Sequence, residues 1–287
     1  MAWRINGEML GLLGWGCAIL LQMAHPLVAA GVSEHSHFAR DALGRLWRLQ
    51  RTLGAMLKLT FGTYEEAVAV ARHIDGIHGR IRGTLGEATG TLAAGTPYFA
   101  RDPPLLRWVH ATYVHTALRT YQLYVGPLSR AEQDRYCAEA TAIEPLLSIP
   151  AGYLPRDASS LTAYVDDMLA SGEIAVGGPA RRIAAELLAP LGPPVLRPLE
   201  PLLRLPIAGL LPPAIREAYG LPWSPRHARA LRVSAALSRR VRRCLPPLLC
   251  RWPQARGAER RVRALRAASR SPECCGLHQR DWSSRTG

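Results

Sequence analysis

Apolar residues recur at helical spacing along most of the chain. Between Glu65 and Gly83, the positions Ala67, Val70, Ala71, Ile74, Ile77, His78 and Ile81 fall on one stripe, which predicts a core-facing helix stopped by Gly83. A second stripe, Leu106, Val109, Tyr113, Ala117, Tyr121 and Tyr124, predicts a helix over 105–125, opened behind Asp102-Pro103 and closed by Gly126-Pro127. Ser129 with Glu132 three residues on reads as a capping box for a helix over 130–147. Similar patterning predicts helices at 8–24, 41–60, 159–171, 179–189 and 226–244. Prolines between Pro190 and Pro225 predict short helical turns joined by rigid bends. No run alternates as a strand would, so the pattern predicts an all-α fold.

The stretch from Met9 to Ser33 contains no Asp, Glu, Lys or Arg and is long enough to cross a bilayer, which needs about 20 residues. Gly11, Gly14, Gly16, Gln22, His25 and Pro26 interrupt it, and the reading preferred is a buried core helix ending before Pro26.

Charge changes the picture at one end only. The formal net charge is +14, yet residues 226–287 hold 16 of the 36 basic residues and only Glu259, Glu273 and Asp281 of the acids. The remainder is nearly neutral, which argues against a nucleic-acid-binding core. Residues 251–287, Arg-rich and without a useful apolar stripe, are expected to be a disordered basic tail behind one helical domain over 1–250. The tail also allows peripheral membrane contact. The six cysteines show no C-x-x-C spacing, which favours a reducing, cytoplasmic location.

The informative anomaly is histidine in apolar surroundings. His25, His78 and His110 all sit where the pattern is otherwise apolar. A buried imidazole left without a partner costs roughly 1–3 kcal/mol. His73 and His78, like His110 and His115, are five apart, about 140° around a helix, so neither pair can grip one ion from one face. There is no H-E-x-x-H, Gly-rich phosphate loop or G-x-S-x-G elbow, and the single Glu-x-x-His, Glu34 to His37, falls short of the two that a di-iron bundle needs. A single helical histidine able to ligate a planar iron cofactor survives this comparison. Arg48, Arg51 and Thr52 gather on one side of a helix, and Arg82 follows His78 by four residues.

These residues resemble the rubber oxygenase (latex clearing protein) and MpaB-type oxygenase catalytic-domain family over roughly residues 3–225. The resemblance rests on His25-Pro26 through Gly31-Val32 with His35-Ser36, Asp41 to Arg45-Leu46, Ile77-His78 with Arg82-Gly83, Asp102-Pro103 with Trp108-Val109-His110-Ala111-Thr112, Gly126-Pro127-Leu128-Ser129, and Gly209 to Pro212 with Arg216 to Leu221. It implies a globin-reminiscent domain around one b-type haem, and an O₂-dependent oxygenase cleaving carbon–carbon double bonds of a polyisoprenoid or other hydrophobic substrate. The family's proximal histidine lies in a pattern of Arg, two residues, His, Ala, two residues, Arg. The resemblance implies His78 as the iron ligand, with Arg82 as the second arginine and Asp75 in place of the first; at His110 the second arginine's place is taken by Val114. His110 and His25 are further cofactor-binding candidates. On the distal side Arg48-Leu49-Gln50-Arg51-Thr52 matches a family motif with arginine for lysine, which implies Arg48, Thr52 and Arg51 as catalytic residues, and Glu34 matches an upstream acid. A haem-free, membrane-associated helical binding protein is the alternative, docked through its apolar N-terminus and basic tail.

Overall fold

The computed structural model describes residues 1–35, 42–189 and 200–269. Its axis is α6, Pro103–Tyr124, which starts behind Asp102 with prolines in its first turn. Leu106, Trp108, Ala111, Val114, Leu118 and Tyr124 are all buried, so α6 is covered on every side instead of along one stripe. Its threonines are tolerated at this depth because two bond back within the helix: Thr112 Oγ1 donates to Trp108 O at 2.8 Å and Thr120 Oγ1 to Thr116 O at 2.7 Å.

The N-terminal apolar stretch supplies one wall around α6. A short α1, Ala2–Ile5, leads through a 3-10 segment, Met9–Gly14, into α2, Trp15–Met23, and then α3, Pro26–His35. No single helix among the described residues is long and apolar enough to cross a membrane; Met9–Met23 and Pro26–His35 are bent by 103° relative to each other. Leu20 and Leu21 of α2 are buried against Trp108, whose Nε1 donates to Gln22 O at 3.3 Å. A Cβ on Gly14 would stand 2.0 Å from Thr120 Oγ1, so only glycine lets this segment pass over α6 so closely.

The helices α4, Ala42–Phe61, and α5, Tyr64–His78, form an antiparallel hairpin turned by the Thr63/Glu66 capping box. α5 stops at His78, five residues earlier than the pattern predicts, and Ile77 is 36% exposed. The chain then enters a small antiparallel hairpin absent from the all-α expectation, β1, Arg82–Thr84, paired with β2, Pro97–Phe99. These two three-residue strands are too short to register as alternation. The predicted box at Ser129/Glu132 opens α7, Arg130–Ala140. Continuation to residue 147 becomes a 3-10 segment containing Pro145, whose missing N–H cannot extend the α-helix.

The remaining helices are α8, Ala158–Ala170, α9, Gly178–Leu187, α10, Glu200–Leu210, α11, Pro213–Ala218, α12, Pro225–Cys244, α13, Pro247–Cys250, and α14, Pro253–Ala268. α14 corrects the expectation of a disordered tail from residue 251. Ala255 and Ala258 are fully buried against Leu57 and Phe61 of α4, and Arg251 pairs with Glu259 at 2.6 Å. Small residues one turn apart let two helices approach closely, a signal that a search for large apolar side chains passes over. This end is also fastened to the N-terminus: buried Glu8 accepts from Arg242 Nε at 2.8 Å and Nη2 at 2.5 Å, and Trp252 N donates to Gly7 O at 3.0 Å. The expected tail beyond residue 269 lies outside the described residues.

Candidate active site

Between α2, α4, α5 and α6 lies a cavity of about 360 Å³, within the range of small-molecule sites. Its walls are mostly apolar, among them Ile19, Met56, Leu59, Ile74, Leu106, Val109 and Ile143. Thr52, His78, His110, Tyr113 and Gln22 supply the polar groups together with Trp15. A second cavity of about 190 Å³ shares Gln22, His78, Leu106 and Val109 with the first and extends past Gly31, Ile81 and Tyr98. His78 thus stands where the two compartments meet.

Periodicity on α5 and α6 brings His78 and His110 to this cavity, but their surroundings differ. His110 is partly buried, and its Nε2 lies 3.1 Å from Ala140 O at the end of α7. A carbonyl can only accept, so Nε2 carries the proton and Nδ1 keeps its lone pair. Nδ1 is buried and has no hydrogen-bond partner among the described residues. Burial pushes the His110 pKa down to about 4, which keeps the ring neutral. His78 is half-buried, and burial also lowers its pKa; Asp75 opposes this shift and Arg101 reinforces it. Arg101 Nη2 donates to Asp75 O at 3.0 Å and Oδ2 at 2.6 Å, closing the end of α5 beside His78. A Cβ at Gly79 would stand 3.0 Å from this guanidinium.

The other sequence candidates are dispersed. Thr52 lines the larger cavity, one helical turn beyond Arg48, whose side chain lies outside the described residues. Arg51 instead faces an outer groove with Trp47, Lys58, Glu66 and His73. Arg82 belongs to β1 and is exposed, because α5 ends before it. His25 is buried away from both cavities and accepts from Leu27 N at 3.3 Å through Nδ1, capping the start of α3. Burial pushes its pKa down to about 4. Glu34 accepts a 2.5 Å hydrogen bond from the Tyr98 hydroxyl, at the wall of the smaller cavity.

The family model described as "ER-bound oxygenase mpaB/B'/Rubber oxygenase, catalytic domain" matches residues 3–240. The chain belongs to this family. The match runs from α1 into α12 and takes in every wall of the cavity, which makes the chain an oxygenase catalytic domain by membership. No curated protein and no solved structure matches the oxygenase significantly.

Two features of the candidate site escaped sequence reasoning. Arg107 and Ala111 supply the family pattern's first arginine and its alanine around His110, whereas Asp75 and Gly79 stand in those places around His78. Arg107 lies over the rings of Tyr153 at 4.9 Å and Tyr164 at 4.2 Å, a cation–π clamp one turn before His110. Tyr113 was legible only as part of an apolar stripe. It lines the cavity, and burial pushes its phenol up to about 12.

Three or more His, Cys, Asp or Glu side chains do not converge anywhere among the described residues. The cavity therefore offers single imidazoles, and a b-type haem asks for one. The fit rests on His110: one nitrogen is held by a backbone carbonyl, and the other is left with a lone pair to donate. Ligating histidines characteristically have their second ring nitrogen held in this way.

Proposed function

We propose that the chain is a haem b-dependent oxygenase that uses O₂ to cleave carbon–carbon double bonds in an isoprenoid or other hydrophobic substrate. The observation that supports this reading best is the neutral His110 in the wall of an apolar cavity, tethered through Nε2 to Ala140 O and with its buried Nδ1 unpartnered among the described residues. Haem, when bound, would supply the redox-active iron that activates O₂. His110 would hold that iron, so the assignment moves from His78 to His110, while His78 remains a neutral wall group between the compartments. The Ala140 carbonyl fixes the tautomer of His110 and raises its basicity. Thr52, with Arg48 one turn earlier on α4, is the polar residue that O₂ would meet on the α4 side of the cavity. Met56, Leu59, Ile74 and Leu106 exclude water and give an alkene chain a surface it can wet.

The test is pyridine-haemochrome content of the full chain, with a Soret band in the purified protein. Wild type is expected to bind haem stoichiometrically. His110→Ala should lose it, whereas His78→Ala should keep most of it. Thr52→Ala should keep the haem and slow O₂-dependent conversion of short polyprenyl compounds to carbonyl products by about tenfold or more. Loss in His78→Ala alone returns the iron-holding role to His78 on α5. A wild-type protein without a Soret band after reconstitution ends the haem reading.

A further inference from the structure

α12 is buried along a narrow line only. Leu231 and Ala235 face the body of the molecule, and two of its arginines are used there, Arg239 Nη1 donating to Leu123 O at 2.7 Å and Arg242 pairing with Glu8. The opposite side is unusual. Val233, Leu237 and Val241, four residues apart and therefore on one face, are 61%, 59% and 47% exposed. The chain continues this apolar run through Leu245, Leu248 and Leu249, of which the last two are 58% and 57% exposed on α13. A contiguous apolar surface rimmed by polar groups marks an interaction site.

The rim identifies the partner's chemistry. Arg226, Arg229, Arg232, Arg240 and Arg243 are all exposed, and none of them forms an ion pair among the described residues. No acidic residue occurs between Glu217 and Glu259. The partner must therefore be anionic and must also accept inserted aliphatic side chains. A second copy of this chain would set one arginine face against another. A nucleic acid would satisfy the arginines and leave the valine and leucine run in water. An anionic lipid surface satisfies both, with phosphates for the guanidinium groups and acyl chains for the side chains between them.

We propose that α12 and α13 form a docking face for anionic lipid bilayers and lie in the plane of the interface. This replaces the expected attachment sites. The apolar N-terminal stretch is spent on the core around α6, and the first part of the basic tail is packed on α4.

Vesicle flotation of the full chain tests the proposal, using phosphatidylcholine with and without phosphatidylglycerol at low and high salt. Wild type is expected to float with the anionic vesicles and to stay behind with the zwitterionic ones. Changing Val233, Leu237 and Val241 together to Ser should weaken binding at least about tenfold, and so should changing Arg229, Arg240 and Arg243 together to Gln. The arginine variant should lose the salt-sensitive part. Leu237→Ser alone serves if the triple change impairs folding, and it should reduce binding measurably with an unchanged melting curve. A chain ended at Ser269 should float as wild type does. The proposal is overturned if wild type ignores anionic vesicles, if the serine variants bind undiminished, or if binding disappears with residues 270–287. Concentration-dependent self-association or DNA retention carried by this face without vesicle binding would overturn it equally.

Discussion

The two long helices α6 and α12 bury themselves in opposite ways. In α6 apolar and small residues occur all round, and every side is packed by another element: α2, α8 and α10 among them. In α12 only Leu231 and Ala235, one turn apart, are buried, while Val233, Leu237 and Val241 face outward among arginines. Both helices contain aliphatic residues at helical spacing, so apolar periodicity alone does not tell a core face from an unpartnered one. The flanking residues do. An apolar stripe with threonine, tyrosine and alanine on its borders belongs to an interior, whereas one bordered by arginines and no acids is shaped for a charged partner.

The largest effect expected from this contrast lies at the centre of α6. Trp108 is fully buried and hydrogen-bonded to Gln22 O, so Trp108→Ala removes packing on α2 together with a satisfied indole N–H. The cost should be about 3–5 kcal/mol, read from chemical denaturation. A loss below about 1 kcal/mol would mean that α6 is not the packing axis.

Legibility in the sequence followed the same division. The helix at 105–125 and the start of the one at 130 were readable because Asp102-Pro103, Gly126-Pro127 and the Ser129/Glu132 box are local signals, and local physics decides them. His110 was readable as an anomaly, since an imidazole in a buried stripe needs a partner. What separates His110 from His78 in the proposed reading is the Ala140 carbonyl, thirty residues away in sequence, and where α5 stops. Neither leaves a trace in periodicity. Arg82 was misplaced for the latter reason: counting four residues past His78 assumes a helix that has already ended. α14 was missed because its contacts are alanines, whose burial is decided by the neighbour they meet and not by their own hydrophobicity.

That helix gives the next test. Truncation after Trp252 removes Ala255, Ala258 and the Arg251–Glu259 pair, and it uncovers Leu57 and Phe61 on α4. Two large apolar side chains newly exposed should lower stability by about 2–4 kcal/mol, with a matching fall in Tm. Truncation after Ser269 should leave Tm within a degree or two of wild type, on the order of a surface change. If both truncations melt alike, α14 contributes no stability and the disordered-tail expectation is restored for 253–268 as well.

The smallest effect is the one that completes the comparison. Leu237 is an aliphatic residue on a long helix, as Leu118 is on α6, but it is 59% exposed where Leu118 is 4% exposed. Replacing it with Ser forfeits little burial, since water already reaches more than half of the side chain. The substitution costs only about a few tenths of a kcal/mol in helix propensity. Leu237→Ser should therefore shift stability by no more than about 0.5 kcal/mol in the isolated protein. Leu118→Ser should cost several times more, because it leaves a cavity and buries a hydroxyl. A cost above about 1 kcal/mol at Leu237 would show that the face is covered in solution by part of the chain itself or by a second copy. The outward stripe would then be a core face with its cover unseen, and the difference between α6 and α12 would become one of degree.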